Sequence, residues 1–204
     1  MVATHDSYTY MKSKNPLMNF ISLWWRCQKK TIKEQYDLGT RVFDIRVYRN
    51  NDKWGMAHGF AHFDENFRTI SDICEYFKTN FSGSVIRIYL EDNVKKNDDL
   101  KEFFLAEADE AFGKYQYMFW EVGTHHPWVT YYRNKEFSPQ IKEYYCHLFN
   151  WNTDRGFLYN IKNFDWSSWS LPAYAKKHNI PITDEMIQDD KVMHLFDYIG
   201  VYPK

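Results

Sequence analysis

The sequence lacks the features that define several common functional classes. Its 204 residues carry 26 Lys and Arg against 27 Asp and Glu, a formal net charge of -1, so it lacks the basic excess with which proteins hold nucleic acid through bulk charge. No apolar stretch reaches the ~18 residues that a spanning helix needs, and the first residues lack the basic start and apolar run of a signal peptide. We therefore expect a soluble, cytoplasmic protein that binds any phosphate locally and binds no nucleic acid.

Cysteines are few, whereas aromatic residues are many. Cys27, Cys74 and Cys146 include no Cys-x-x-Cys pair, so they indicate neither a disulfide framework nor a zinc ribbon. Aromatic residues make up 20% of the chain, which supplies both a dense core and apolar contact surface. No repeat or Pro/Gly-rich linker divides the chain, so we predict a single domain over residues 1–204.

Short apolar segments alternate with helical ones along the chain. Runs of β-branched and aromatic residues predict strands, and polar starts followed by apolar residues at three- and four-residue steps predict helices. The strands are predicted at 41–48, 84–91, 117–122, 128–133, 144–151 and 192–199, and the helices at 15–36, 69–79 and 98–112. This alternation favours parallel strands in a compact, irregular α/β barrel of the TIM type, trimmed from the usual ~250 residues, with short or missing helices over 134–191.

The first chemical feature is the pair formed by His5 and Asp6. Met1, Val2 and Ala3 leave room for little more than one short strand, so the pair falls at or just past the C-terminal end of that strand. This is the end of the strands at which α/β barrels keep their catalytic groups.

A second feature is the charged pair in the predicted strand RVFDIRVY. Asp44 and Arg46 lie two residues apart and so share one face, while Phe43 and Ile45 share the other. One face of each barrel strand looks inward, and inward charges are costly unless they pair or take part in function. An internal Asp44–Arg46 ion pair that stabilises the barrel mouth is the alternative to a functional site.

His58 adds a second histidine to this set. A polar turn, RNNDK, and a short return strand, WGMA, predict a hairpin that brings His58 back beside Arg46. Two histidines, an arginine and nearby carboxylates suit phosphodiester cleavage: one neutral histidine takes a proton from the attacking hydroxyl, and a protonated one gives a proton to the leaving oxygen. The guanidinium offsets charge on the phosphoryl oxygens.

Four motifs together resemble a known enzyme family. ATHDSY, RVFDIRVY, MAHG and MHLFDYIG are similar to sequences of the phosphatidylinositol-specific phospholipase C family, its bacterial type in particular, from Val2 to about Leu90 and again near Val192. The resemblance implies an X-type domain with the phospholipase C-like phosphodiesterase barrel. It also implies cleavage of a phospholipid or other phosphodiester substrate by a phosphoric diester hydrolase or lyase.

The resemblance assigns a role to each site residue. It implies that His5 is the general base for the inositol 2-hydroxyl, that Arg46 stabilises the pentacoordinate phosphate, and that His58 is the general acid for the diacylglycerol oxygen. Asp6 would support His58 and Arg46, and Asp197 would hold His5 in the correct tautomer. The alternatives are a metal-dependent phosphodiesterase for another headgroup, such as a glycerophosphodiester or sphingolipid, and a lipid-binding module with weak activity.

Glu91 is a departure from the family pattern. It stands where bacterial-type relatives have a lysine near the inositol and where calcium-dependent relatives have a metal-binding glutamate, so we expect Glu91 and Asp44 to face the substrate. Asp6, Asp44 and Glu91 together would offer Ca²⁺ the oxygen ligands it prefers. Arg46, however, occupies the position of a further acidic ligand in those relatives, so we expect a site with no metal or cofactor and keep Ca²⁺ as the alternative.

The segment 19–30, NFISLWWRCQKK, combines aromatic and basic residues. Tryptophan favours the membrane interface, and basic groups favour anionic lipid. One interpretation is peripheral membrane contact through Trp24 and Trp25. The alternative is that these aromatic residues pack a helix against the barrel.

Overall fold

The computed structural model describes residues 1–91, 98–115, 118–122, 140–144 and 170–203. The strands are β1 (Val2–Thr4), β2 (Thr40–Asn50), β3 (Lys53–His58), β4 (Ala61–Phe67), β5 (Val85–Leu90), β6 (Met118–Val122), β7 (Gln140–Tyr144) and β8 (Val192–Phe196). The helices are α1 (Pro16–Phe20), α2 (Ile32–Asp37), α3 (Ile70–Asn80), α4 (Asp98–Lys114), α5 (Leu171–His178) and α6 (Asp184–Gln188), with a short 3₁₀ helix at Ser22–Trp24. The predicted strand at 128–133 and residues 145–151 of the next one lie outside the described residues.

All the described strands belong to one sheet. Six of them run parallel in the order β6-β5-β2-β1-β8-β7, and β3 and β4 continue from β2 as antiparallel strands. This topology confirms the mixed α/β class and the parallel strands. Within the described residues the sheet is open, with β6 and β7 at its two edges, so the TIM-type barrel stays a prediction.

Strand β2 is the longest strand and supports three neighbours. Its first part pairs with β1 and β5, whereas its last four residues, from Val47 to Asn50, pair with β3. The two-residue turn at Asn51 and Asp52 has Asn51 at φ 55°, a left-handed conformation that asparagine tolerates. The predicted hairpin is therefore confirmed, and it returns the chain to the C-terminal edge of the parallel strands at His58.

The helices α3 and α4 cover the face of the sheet that carries the apolar residues of β2 and β5. Phe43 packs against Phe77 of α3 with ring centroids 5.2 Å apart, and Phe104 of α4 joins the same buried cluster. Glu107 of α4 accepts hydrogen bonds from the indole of Trp54 and the backbone amide of Ile70. The predicted helices at 69–79 and 98–112 are thus confirmed, and the opposite face of β2 is left for Asp44 and Arg46.

The single helix predicted over 15–36 is wrong, because the chain leaves helical geometry between 25 and 31. There the backbone amides of Cys27 and Gln28 both donate to the hydroxyl of Thr9, which satisfies them without a helix. Thr31 and Glu34 then form a capping box, a signal that starts a new helix, α2, within the same apolar pattern. None of the described helices is long and apolar enough to cross a bilayer.

Candidate active site

Polar side chains from five segments meet at the C-terminal edge of the parallel strands. Because β5, β2, β1 and β8 are four consecutive parallel strands in the sheet, their carboxyl ends lie along one short edge. Contacts within 3.3 Å link all seven residues that the sequence predicted for the site, which are His5, Asp6, Asp44, Arg46, His58, Glu91 and Asp197.

His5 follows β1 directly and is held from both sides of its ring. Nδ1 lies 2.9 Å from Asp197 Oδ1, and Nε2 lies 2.8 Å from Arg46 Nη2. Because a guanidinium can only donate, Nε2 must accept, and the proton of the neutral ring therefore resides on Nδ1, which donates to Asp197. The geometry thus directs the lone pair of Nε2 at Arg46, in the centre of the site.

The pKa of His5 results from opposing effects. Burial lowers it, the carboxylates of Asp6 and Asp197 raise it, and the charge of Arg46 lowers it, with a net rise above the ordinary 6.5. When His5 is protonated, Nε2 can no longer accept from Arg46, and Asp6 Oδ2 at 3.3 Å becomes its partner. The two carboxylates therefore make His5 a stronger base than free histidine.

Arg46 lies at the centre of the site. Nε contacts the Asp6 carboxylate and lies 3.3 Å from Asp44 Oδ2, while Nη1 lies 3.2 Å from Glu91 Oε1. Burial lowers the pKa of Arg46, but Asp6, Glu91 and Asp44 raise it well above its usual value. One permanent positive charge thus contacts all three carboxylates that the sequence offered as calcium ligands.

Arg87 is a site residue that the sequence reasoning missed. It is buried in β5, and Nη1 donates to Asp44 Oδ1 at 2.7 Å. Burial raises the pKa of Asp44, but Arg87 and Arg46 lower it further than burial raises it, so the carboxylate stays ionised. The sequence IRIYLE contained a signal, because Arg87 and Glu91 are four residues apart and so lie on the same face of a strand. In the structure Arg87 pairs in register with Asp44.

Asp44 is fully buried and orients its neighbours. Its Oδ2 accepts from the backbone amide of Asp6 at 3.1 Å and from Arg46 Nε, while its backbone carbonyl accepts from the amide of Ser7. Contact of Asp44 with substrate stays a prediction. Its observed contacts fix the turn after β1 and the direction of the Arg46 side chain.

Asp6 joins the two histidines. Its backbone is left-handed, with φ 45°, a conformation that aspartate adopts more readily than most residues. One carboxylate oxygen contacts Arg46, and Oδ2 lies 3.2 Å from His58 Nε2 and 3.3 Å from His5 Nε2. Asp6 therefore contacts both His58 and Arg46, the two residues that the family resemblance has it support.

Two buried amides, also missed, fix the backbone around His5 and Asp197. Gln28 Nε2 donates to the carbonyls of His5 and Phe196, and Asn179 Nδ2 donates to the carbonyl of Asp197 at 2.7 Å. Both amides come from segments outside the sheet. No sequence spacing indicates such contacts, because they depend on how these segments fold over the strand ends.

The expectation that Trp25 contacts a membrane is corrected by its burial. The side chain is 7% exposed, packs against Phe63 with ring centroids 5.9 Å apart, and lies 6.2 Å from the ring of His58. Its indole nitrogen donates to the carbonyl of Met18. Trp25 therefore belongs to the core beneath His58, as the packing alternative predicted for these aromatic residues.

The stretch from residue 17 to residue 24 nevertheless exposes large apolar side chains. Phe20 is 85% exposed and Trp24 is 41% exposed, and Leu17 and Leu23 are also exposed. We call these four residues the apolar ridge. Phe60, two residues beyond His58 in the β3–β4 turn, is exposed as well.

Three groups of described side chains have possible metal ligands within 4.8 Å of one another. They are His5 with Asp6 and Asp44, His5 with Cys27 and Asp197, and Asp6 with Cys27 and His58. The predicted calcium set of Asp6, Asp44 and Glu91 is not among these groups. Each of its three members contacts Arg46 instead.

The described residues define a mixed α/β protein with a histidine, arginine and carboxylate cluster at its strand ends. No protein-family model matches the sequence, and a comparison with curated proteins gives no significant match. Two solved structures of variants of phosphatidylinositol-specific phospholipase C from Staphylococcus aureus match with a TM-score of 0.56 and 15% identity, over 98% of this chain and 86% of that chain. A structure of the Listeria monocytogenes phosphatidylinositol-specific phospholipase C matches with a TM-score of 0.41 and 21% identity, over 57% of this chain and 39% of that chain. The Staphylococcus aureus matches confirm the predicted resemblance at the level of the fold.

Replacing Asp197 with asparagine should lower the pKa of His5. The substitution keeps an oxygen that accepts from Nδ1 but removes a negative charge that raises this pKa. NMR titration of the His5 imidazole in Asp197→Asn and the parent protein measures the change. Asp64→Asn, at an exposed carboxylate paired with Lys14, is the control that should leave the value unchanged.

The same substitution has a consequence for stability. Because the pKa of folded His5 lies above 6.5, its protonation stabilises the fold below pH 6.5, and this contribution is lost as the pH rises through the folded pKa. Asp197→Asn should therefore flatten this part of the pH dependence of the free energy of unfolding. An unchanged His5 titration would contradict the proposed electrostatic link between the two residues.

Proposed function

We propose that the protein is a metal-independent phosphodiesterase of the phosphatidylinositol-specific phospholipase C type. One observation carries the proposal: His5 Nε2 accepts from a guanidinium 2.8 Å away, so its lone pair points into the site, and a second histidine lies across the shared carboxylate of Asp6. The fold match to an enzyme named for this activity supports the same class. In this proposal the open sheet is part of a compact, irregular TIM-type barrel.

The proposed reaction uses the two histidines in opposite roles. His5 Nε2 takes the proton of the attacking hydroxyl, which is the inositol 2-hydroxyl if the headgroup is inositol, and the hydroxyl oxygen bonds to phosphorus. His58 gives a proton to the diacylglycerol oxygen as its bond to phosphorus breaks, leaving a cyclic phosphate. Arg46 turns Nη2 from His5 to a phosphoryl oxygen and offsets the charge that develops there.

Arg46 also supports the proposal that no Ca²⁺ is needed. Its guanidinium contacts Asp6, Asp44 and Glu91 at once, so it neutralises the carboxylates that a metal would require. A calcium ion at this point would have to displace Arg46, which is only partly exposed and is paired with all three carboxylates. We therefore assign the electrostatic role of a metal to Arg46.

The direct test of the proposed function is phosphorus NMR of phosphatidylinositol vesicles incubated with the protein. We expect a cyclic inositol phosphate signal to form at the same rate with and without EDTA. Loss of turnover in EDTA with recovery in Ca²⁺ would favour the metal-dependent alternative. Vesicle binding without turnover of inositol, glycerol or sphingolipid diesters would identify the protein as a lipid-binding module.

The acid and base roles can be separated by the leaving group. His5→Ala and His58→Ala should each lose about 10²- to 10⁴-fold in turnover of the lipid, the usual contribution of a positioned proton-transfer group. An inositol phosphodiester with a nitrophenol leaving group needs little protonation, so it should restore turnover to His58→Ala far more than to His5→Ala. Kinetics on both substrates measure this, and rescue of His5→Ala instead would reverse the roles.

The control for this experiment is His178→Ala. His178 is exposed at the end of α5, so its removal tests the loss of a histidine without touching the site. Its turnover should equal that of the parent protein on both substrates. A loss in this variant would show that the assay responds to changes far from the cluster.

We also propose that the apolar ridge contacts the surface of a lipid membrane. Phe20 and Trp24 lie in the segment 19–30, which combines aromatic and basic residues, and both are exposed in the structure. Burial of a phenylalanine side chain contributes about 1.5–3 kcal/mol. The ridge would thus hold the substrate-bearing membrane near the cluster without a spanning helix.

Replacing Phe20 and Trp24 together with alanine should weaken vesicle binding by about 10-fold or more, because at least one large apolar side chain no longer enters the lipid. Turnover of a soluble diester and the melting temperature should change little. Trp25→Ala is the matched contrast: it should lower stability by about 3–5 kcal/mol, the usual cost of removing a buried tryptophan. Vesicle sedimentation and thermal unfolding measure both effects, and unchanged binding of the double variant would exclude the ridge.

A further inference from the structure

The two carboxylate oxygens of Asp6 face different surroundings. Oδ1 contacts the guanidinium of Arg46, so that side of the carboxylate is already neutralised. Oδ2 faces a sulfur and two imidazoles instead: Cys27 Sγ donates to it at 3.5 Å, His58 Nε2 lies 3.2 Å away and His5 Nε2 lies 3.3 Å away. The thiol of Cys27 has no part in the proposed reaction, so its position here needs a separate account.

The separations around Asp6 Oδ2 fit a tetrahedral metal site. Zn²⁺ binds sulfur at about 2.3 Å and nitrogen or oxygen at about 2.0–2.2 Å, so the edges of a tetrahedron around it are about 3.3–3.6 Å long. The edges from Asp6 Oδ2 to His58 Nε2 and to Cys27 Sγ are 3.2 and 3.5 Å. One ligand atom of each of the three residues lies within 4.8 Å of the other two. Small side-chain rotations would therefore bring the third edge to the length that a tetrahedron requires.

We propose that Asp6, Cys27 and His58 form a binding site for Zn²⁺ that competes with catalysis. Oδ2, Sγ and Nε2 are the three protein ligands, and water takes the fourth position. On binding, the Cys27 thiol and Nε2 of the protonated His58 each release a proton to solvent, and Nδ1 keeps the proton of the neutral ring. The sulfur and Nε2 then bond to the metal, and the contact between His58 and Asp6 is replaced by two bonds to the metal. The partly exposed ring of His58 gives the ion access from solvent.

The ligand types define which ions this site selects. A thiolate and an imidazole favour Zn²⁺ and its neighbours in the transition series, whereas Ca²⁺ and Mg²⁺ prefer sets made of oxygen alone. The oxygen-rich side of Asp6 is the side that Arg46 covers. The site should therefore bind Zn²⁺ and Co²⁺ and discriminate against Ca²⁺.

Inhibition follows from the chemistry of His58. A metal bound to Nε2 uses the lone pair that would otherwise carry the acid proton, so His58 can no longer protonate the leaving oxygen. This consequence rests on the proposed phosphodiesterase function. The binding of metal does not, and the experiment measures it separately.

Cobalt is the probe for binding, because tetrahedral Co²⁺ has strong visible bands and a near-ultraviolet band when a thiolate is bound. Titration of the protein with Co²⁺ should give both sets of bands at one ion per chain, and Zn²⁺ should displace it. Cys27→Ser should lose the thiolate band and bind Zn²⁺ more weakly by more than the ~10- to 100-fold that loss of an outer-sphere partner costs. Cys74→Ser, at a second buried thiol in α3, is the matched control and should behave like the parent protein.

The activity arm uses the same variants. Zn²⁺ should inhibit the parent protein and Cys74→Ser reversibly, with recovery on chelation, while Cys27→Ser keeps its turnover at the same Zn²⁺ concentration. Thermal unfolding confirms that each variant is folded. Co²⁺ binding without a thiolate band, or equal Zn²⁺ affinity in Cys27→Ser, would overturn the site, whereas metal binding in a protein without turnover would overturn only the proposed function.

Discussion

The buried carboxylate of Asp44 is the group on which the arrangement of the site depends. It accepts from Arg87 on one oxygen, and from Arg46 and the amide of Asp6 on the other. A charge at this depth is stable only because two guanidinium groups compensate it. The same contacts fix the left-handed turn at Asp6 and aim Arg46 at His5, so the two residues to which we assign the base and phosphate-binding roles share one anchor.

The charge balance of the cluster explains the basicity of its histidine. The cluster contains four carboxylates and two guanidinium groups. The carboxylates are those of Asp6, Asp44, Glu91 and Asp197, so the charges other than those of the histidines sum to a negative value. The carboxylates next to His5 therefore favour its protonated form, even though burial opposes it. In the proposed reaction, a histidine that gains a proton readily also takes one readily from a substrate hydroxyl.

Much of this arrangement was readable from the sequence, and the physical reason is local. The alternation in RVFDIRVY put Asp44 and Arg46 on one face, and the polar turn before WGMA identified the hairpin that carries His58. Asp197 came from the family resemblance rather than from any spacing. The partners Gln28 and Asn179 could not be predicted, since they act through backbone groups brought close only by the folded chain. The sequence did not predict the break in the helix within 15–36 for a related reason. The apolar pattern continues through the break, and the helix ends because the backbone there bonds to Thr9.

Because β2 is long, it pairs both with the parallel strand that precedes His5 and with the antiparallel strand that carries His58. His5 follows β1, one of the parallel strands, whereas His58 ends β3. Strands β3 and β4 and the end of β2 form an antiparallel arm, and among the described strands this arm pairs with the parallel ones only through the last residues of β2. The spacing between the two histidines therefore depends on β2, which joins the two parts, and on Asp6, which contacts both rings. Chain added at the tip of the arm, around Asn51, lies beyond the span that sets this spacing. Such an insertion would enlarge the rim of the site and leave the distance between the two histidines unchanged.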